Sequence, residues 1–599
     1  MTQTDAAEDR TPPPPPSVDA HGHRTVPDHT NPGWPPGVPY IVGNEACERF
    51  SYYGMRAILQ VHLTSLFVLQ FALQDARMHA TQTVHLFMAG VYAFPMIGAL
   101  IADRWAGKYR TILYLSLVYC AGHAVLSAFE NALWGMYLGL GLIAVGSGGI
   151  KPCVSANVGD QFGRANQHRL RAIYQIFYFS INFGSFFATL LSPVLRSHAG
   201  GWLIETFPTL AARVTDPAEL THLKLRLGTS VAFALPGVLM FIATFVFWLG
   251  RHRFVHAPPR PGGRLGLLDA ACCTALVLTF GHLFATPELL GHRFEGNPAL
   301  KWGILSSISL AFLVLGLYLF ALRQRLAPDD GFLAITLHVL RAHLGGGSPA
   351  LASLPDHPLA RSRFWRPAVE RFGVTATEGP VAVFKIVSVF ILISVFWALF
   401  DQHSSTWITQ AGEMDLRLWG DRESFLGIPN VRLEASQVPA MNPALVMLLI
   451  PLMNLVYHLF DRAGLRTTPL RRITVGMIVT ALSFVATALL QQHIDASPPH
   501  SVWVGWQVVQ YVIITIAEVM VSITGLEFAY TQAPKRMKST VMGFWLLTVT
   551  LGNVLVAFLA GFKGLQPAQF FWTFAALSAA AGLLFGLRAL VYVPRDFTE

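Results

Sequence analysis

The sequence predicts an all-α polytopic membrane protein, and three observations predict it. The chain of 599 residues is 53% hydrophobic and only 13% charged, with a mean hydropathy of +0.47, whereas soluble domains carry about 25% charge. Apolar runs of about 18 or more residues recur along it, enough for helices that cross hydrocarbon. Lys and Arg, which give the net charge of +9, gather in short loops between those runs. That is the positive-inside pattern of membrane topology and not a nucleic-acid signal.

Taken in order, residues 1–38 are rich in Pro, His, Asp and Thr and nearly devoid of apolar content. They read as a disordered cytoplasmic tail with no cleavable signal. The first span covers 41–69, and inside it lie Asn44, Glu45, Glu48, Arg49, Tyr52, Tyr53 and Arg56. At about 100° per residue, Glu45, Arg49, Tyr52 and Arg56 share one stripe, flanked by Glu48 and Tyr53. All six fit an arc of roughly 140°, with an apolar face opposite. Charges inside a bilayer are costly, so such a stripe faces a bundle interior or aqueous cavity and marks a substrate or ion path.

The second span, 84–102, carries His85 and Tyr92 on one face and ends in the turn Gly98 to Lys108. A lone histidine on an apolar helix reads first as a satisfied core residue. Arg104, Lys108 and Arg110 place this loop, and with it the N-terminus, inside. Spans three and four cover 111–130 and 134–158. Lys151, followed by Pro152 and preceded by close-packing glycines, needs a counter-ion or a cavity at mid-membrane. Span five (171–191) holds Asn182. A long external loop over 196–228 leads to span six (231–249), and Arg251, His252 and Arg253 return the chain to the inside.

Two further apolar stretches follow at 265–286 and 303–322, then a mixed cytoplasmic linker over 323–378 with a short amphipathic helix near 332–344. Span seven (380–400) has Lys385 at its inner start, where it can snorkel to the interface, and Trp397 and Asp401 toward its far end. Span eight (442–460) opens on Asn442, and span nine covers 473–491. Span ten (504–530) contains Glu518 and, about 13.5 Å further along, Glu527. Span eleven holds Trp545, and span twelve ends near Tyr592. The five cysteines, Cys47, Cys120, Cys153, Cys272 and Cys273, lie in or beside apolar runs, with neither a disulfide framework nor metal spacing.

The stretch Glu45-x-x-Glu48-Arg49-Phe50-x-Tyr52-Tyr53-Gly54 resembles the E-x-x-E-R-F-x-Y-Y-G signature of the proton-dependent oligopeptide transporter family, within the major facilitator superfamily. Gly98 to Lys108 is similar to that superfamily's G-x-x-x-D-R-x-G-R loop, one residue longer on each side of Asp103. The resemblance extends over nearly all of the chain from residue 38. It implies a major facilitator fold of fourteen transmembrane helices: a six-helix bundle over 39–250, two inserted helices plus linker over 251–379, as in bacterial members, and a second bundle over 380–599.

It further implies substrate contacts at Arg49, Tyr53, Arg56, Tyr92, Lys151, Asn182, Trp397, Asn442, Glu518 and Trp545. Proton coupling falls to Glu45, Glu48, His85 and Asp401, with Asp401 pairing Lys151. Gating falls to Asp103, Arg104, Lys385 and Glu527, with Asp103 and Arg104 pairing across the cytoplasmic gate. The expected activity is proton-coupled symport of di- and tripeptides across the plasma (inner) membrane, both termini cytoplasmic. The proton gradient is the energy source, with no cofactor, no metal and no nucleic-acid partner.

The chemistry agrees with that implication. A zwitterionic peptide is a dipole, and a cavity basic on one wall and acidic on the other fits it. Arg offers carboxylates a bidentate fork, and Tyr and Trp give apolar pockets with polar tips. A carrier of another small molecule on the same scaffold, such as nitrate, a drug or an amino-acid conjugate, is the competing reading; Glu518 favours a substrate with an amino group. A polytopic membrane enzyme would need a nucleophile with an oriented base. His403 beside Ser404 and Ser405 is the nearest arrangement, and it lacks the orienting third group.

Overall fold

The computed structural model describes residues 18–19, 22–282, 297–327, 331–344, 357–425, 427–464, 467–533, 538–562 and 566–593. Twelve helices within them are long and apolar enough to cross a membrane. Two more complete the expected fourteen: the first span, Val38–Phe67, and the first inserted helix, Gly263–Gly281. The first span falls short on hydropathy because its stripe of Glu45, Glu48, Arg49 and Arg56 is continued by Gln60 and His62. Its polar residues are inside the protein: Glu45, Glu48, Arg56, Gln60 and His62 are all buried.

Buried apolar side chains form two large clusters. One is built on residues from Val38 to Phe254, the other on residues from Val383 to Tyr592. Within the first, spans two and four touch backbone to backbone, since a Cβ on Gly98 would collide with the carbonyl of Gly148. Small residues permit this approach, and dispersion across the seam replaces the hydrophobic drive that lipid cannot supply. The inserted helices pack on each other the same way, with Gly316 opposite Leu276.

Helices run past the hydrocarbon. Span five is Leu170–Thr206 and span six Pro217–Leu249, so the expected external loop is mostly helix, leaving a short polar link capped by Asp216. The helix of span seven starts at Arg366 and is broken at Gly373, whose φ of 79° suits only glycine. The linker helix forms at Phe332–Leu344. Span ten is interrupted: Gln507–Glu518 gives way to a π-turn at Val519–Ile523 and then to Thr524–Gln532. Such π-turns gather at functional positions, and this one starts right after Glu518.

Part of the N-terminal segment departs from the expectation of a disordered tail; residues 1–17, 20 and 21 lie outside the described residues. Residues 22–37 form a strap under the first cluster. Trp34 meets Phe162 edge-on at 6.2 Å and carries the Arg169 guanidinium at 5.5 Å. Asn166 Nδ2 donates to the Gly33 carbonyl at 3.0 Å, and the His256 amide donates to the Arg24 carbonyl at 2.7 Å. The His23 ring stacks on His256 at 4.2 Å and on His252 at 5.2 Å, while Asp19 meets His23 at 3.2 Å. Composition missed this because one tryptophan, a few backbone bonds and a ring stack suffice to dock a short segment.

Burial holds the His256 imidazole below its ordinary range, and the neighbouring His23 and His252 act in the same direction. A group so depressed supports docking above the ordinary imidazole value, about 6.5, and withdraws that support as the pH falls below it. Hydrogen exchange over residues 22–37 is therefore expected to show more frequent opening at pH 5.5 than at pH 7.5, after correction for intrinsic rates. Trp34→Ala, losing about 1–2 kcal/mol of ring contacts, should raise strap opening about 5- to 30-fold while the spans stay protected.

Candidate functional site

Inside the bundle lies a cavity of ≈ 150 Å³, roughly ten times what a single water needs. The first half lines it with Tyr53, Arg56, Tyr92 and Asn182, and the second with Trp397, Asp401, His403, Asn442 and Glu518. The stripe on the first span thus meets spans five, seven, eight and ten around one chamber.

Arg56 and Asp401 form the ion pair across it. Arg56 Nη2 lies 3.0 Å from Asp401 Oδ1, and both side chains are buried. Asp401 Oδ2 accepts from Asn553 Nδ2 at 2.7 Å. Asn553 Oδ1 is 2.7 Å from His85 Nδ1, and His85 Nε2 is 2.7 Å from Ser405 Oγ. A continuous chain therefore runs Arg56–Asp401–Asn553–His85–Ser405, and both nitrogens of His85 are engaged in it. The carbonyl of Asn553 can only accept, so Nδ1 of His85 carries the proton and Nε2 accepts from Ser405.

The expected partnership of Asp401 with Lys151 is corrected. Lys151 Nζ has no hydrogen-bond partner among the described residues. It sits over the rings of Tyr52 and Tyr92, at 4.2 and 4.5 Å. Tyr92 lines the cavity, so its ring is the partition between the lysine and the chamber. Aspartate is short, and its two oxygens are already taken by Arg56 and Asn553.

A second charged cluster lies on the first span itself. Arg49 meets Glu45 at 2.6 Å and Glu48 at 3.4 Å. Across the chamber, Glu518 Oε2 accepts from Asn442 Nδ2 at 2.8 Å, and the same amide lies 3.2 Å from Thr515 Oγ1. Asn182 donates to the Tyr178 carbonyl at 2.9 Å. Trp545 stands behind the wall, its ring 6.2 Å from that of Trp397.

The loop residues assigned to gating are arranged differently from the expectation. Arg104 pairs with Asp269 of the first inserted helix at 3.5 Å, and Arg323 of the second pairs the same carboxylate at 2.8 Å. Lys108, not Arg104, pairs with an acid at the end of span four, Asp160, at 2.7 Å. Asp103 is exposed and makes no ion pair among the described residues. The superfamily-like loop therefore fastens the inserted pair to the first half. Lys385 and Glu527 are both exposed, and neither has an ion partner among the described residues.

Polar contacts between the two halves, among the described residues, lie at the cavity or toward the end that carries Phe67 and Leu73. There Arg77 pairs with Glu413, Ser197 donates to Glu434 at 3.0 Å, and Gln437 donates to the Leu190 carbonyl at 2.9 Å. Sequence reasoning missed Asn553 and the Arg77–Glu413 pair, and weighed Ser405 only as a hydroxyl beside His403 and not as the partner of His85. Asn553 was findable as an isolated amide in the apolar run 541–560, since a polar group there needs a partner. Arg77 and Glu413 lie near span ends, where polar residues draw no attention.

A family profile described as PTR2, the POT family, matches residues 109–289 and 368–571. Peptide transporter family 1 of Drosophila melanogaster is 31% identical over 77% of this chain, which spans about half (48%) of that relative. Solute carrier family 15 member 2 of Rattus norvegicus is 25% identical, covering 94% of this chain and 90% of the relative. A crystal structure of an auto-inhibited POT family peptide transporter is 34% identical, with a TM-score of 0.68 and coverage of 94% and 99%. That of the POT family transporter PepTSo is 36% identical, with a TM-score of 0.68 and coverage of 93% and 98%.

Asp401→Leu leaves the Arg56 guanidinium buried without its counter-charge, a loss expected to cost about 3–5 kcal/mol. Combining it with Arg56→Met removes both charges. Thermal unfolding in detergent should find the double variant more stable than either single one. Additive losses would mean that the pair is not coupled as its geometry indicates.

Proposed function

Because the chain belongs to the POT family of peptide transporters, we propose that it imports di- and tripeptides with protons by alternating access. The reading rests on one observation: a single chamber has a cationic side chain from the first half, Arg56, and carboxylates from the second, Asp401 and Glu518. The peptide carboxylate binds at the basic wall, to Arg56 and, once Tyr92 moves aside, to Lys151, with Arg49 behind them. The ammonium binds at Glu518. Tyr53, Tyr92 and Trp397 accommodate side chains, with Trp545 backing Trp397, and Asn182 and Asn442 take the peptide bond.

Coupling follows from charge. Arg56 cannot serve a substrate carboxylate and Asp401 equally, so a proton taken up at Asp401 releases the guanidinium, and His85 bears on the same carboxylate through the hydrogen bonds of Asn553. Protonation of Glu45 or Glu48 releases Arg49 in the same way. Each release loosens a contact that holds the halves or the first span in place, and the bundle rocks about the midplane site. The fastened end, with Arg77–Glu413, faces outward and the basic loops face the cytoplasm. Lys385 and Glu527 close the inner end in the alternate state. The protein resides in the plasma (inner) membrane with both termini inside.

One proton moving down about 100 mV supplies about 2.3 kcal/mol, which is roughly fifty-fold accumulation of a neutral peptide. Liposomes holding the purified protein should concentrate labelled dialanine when the outside is acidic, with competition by peptides and none by nitrate. Glu45→Gln should abolish concentration under the gradient while leaving counterflow exchange. Glu518→Gln should raise the half-saturating dialanine concentration about 10- to 100-fold, as expected for loss of a charged hydrogen bond. No gradient-driven dialanine uptake by the wild type would sink the reading.

A further inference from the structure

We infer that His403 is a specificity-determining residue whose Nε2 accepts a hydrogen bond from the α-ammonium of the carried peptide, in the chamber that Glu518 and Asn442 also line. The inference rests on the peptide-transport reading above and adds a recognition group to the same chamber.

His403 lies on the turn Asp401–Ser404 that follows span seven. Its backbone is fixed by Tyr511, whose Oη donates to the His403 carbonyl at 2.9 Å. Its ring is held against Phe400, centroids 4.8 Å apart, and edge-on to Tyr511 at 6.3 Å. Nδ1 lies 2.6 Å from the Phe400 carbonyl oxygen. A carbonyl only accepts, so Nδ1 bears the hydrogen and Nε2 of the neutral ring is left with its lone pair.

That nitrogen is the one unspent polar atom of the ring. Nε2 has no partner among the described residues, and it is not sealed in the interior as the Nε2 of His123 is. The residue lines the chamber. His85 differs, because both its nitrogens are spent on Asn553 and Ser405.

The neighbouring groups set what such an acceptor is for. An ammonium has three N–H donors to place. Glu518 accepts from Asn442 through Oε2 only, leaving Oε1 for a ligand. Asn442 has spent its amide on Glu518 and Thr515, so it presents Oδ1. Two acceptors from spans eight and ten therefore face the chamber, and Nε2 of His403 brings a third from the end of span seven. A ring with the opposite tautomer would point a donor at the ammonium; the bond to Phe400 prevents it.

The test is competition against gradient-driven uptake of labelled dialanine in liposomes. The competitors are unlabelled dialanine and propionyl-alanine, which is dialanine without its amino group. In His403→Phe, which keeps the ring stacking and loses both nitrogens, dialanine should compete about 10- to 100-fold more weakly. Propionyl-alanine should change less than about threefold. His403→Gln, which restores an acceptor near Nε2, should recover most of the preference for the amino compound. His403→Met makes the same comparison if the Phe variant does not fold. Retention of the wild-type preference in the acceptor-less variant overturns the inference, as does an equal loss for both competitors. Failure of the wild type to take up dialanine would instead count against the transport reading.

Discussion

The bundle depends on one electrostatic constraint: a guanidinium taken out of water must keep a counter-charge, and here the two come from different halves of the chain. Arg56 belongs to the first span and Asp401 to the end of the seventh, 3.0 Å apart. Desolvating two ions costs several kcal/mol each, which their attraction repays only with good geometry and further hydrogen bonds. The further bonds are present, from Asn553 and from the Asp401 carbonyl, which also lies 3.3 Å from Arg56. An apolar pair would hold the halves at least as firmly. What the ion pair adds is a contact whose strength changes with the proton.

Lys151 shows the same constraint left incompletely met. Two tyrosine faces attract the desolvated cation, and burying an ammonium costs several kcal/mol. Among the described residues no hydrogen-bond acceptor meets Nζ, and on the proposed reading an incoming carboxylate supplies one. On that reading the site is pre-organised: the folded protein carries the cost, and the ligand gains from its relief. Tyr92, forming both the cavity wall and the lysine's partner, ties that relief to a movement of its ring.

Much of this was legible in the sequence because it lies along single helices. Apolar runs gave the spans, although the helices outrun the hydrocarbon, and the angular stripe from Glu45 to Arg56 gave the inward face of the first one. The Glu45–Arg49 pair follows from their spacing of four. Partnerships between helices were not legible in the same way. Periodicity says which face a residue occupies, but the choice of Arg56 over Lys151 by Asp401 depends on helix rotation and depth, which no single span encodes. The same holds for Asn553 and Ser405, which matter only because His85 lies between them. Arg104 had an available acid in its own loop, yet packing of the inserted pair brought Asp269 closer.

The position of the fastenings bears on how the halves can move. Arg77–Glu413, Ser197–Glu434 and Gln437–Leu190 hold one end together, and Arg56–Asp401 bridges the halves at the cavity. Rigid helices about 30 residues long turn a small rotation at the fastened end into a displacement of several ångströms at the other. Arg77–Glu413 is half-buried, so water partly screens it. The buried pair is worth more, and it is the one wired through Asn553 to a histidine. On the proposed reading, the proton therefore acts where the lever is held most firmly, and the substrate carboxylate competes for the same guanidinium. Both ligands then bias a single two-state contact, which is the minimum that coupling between them requires.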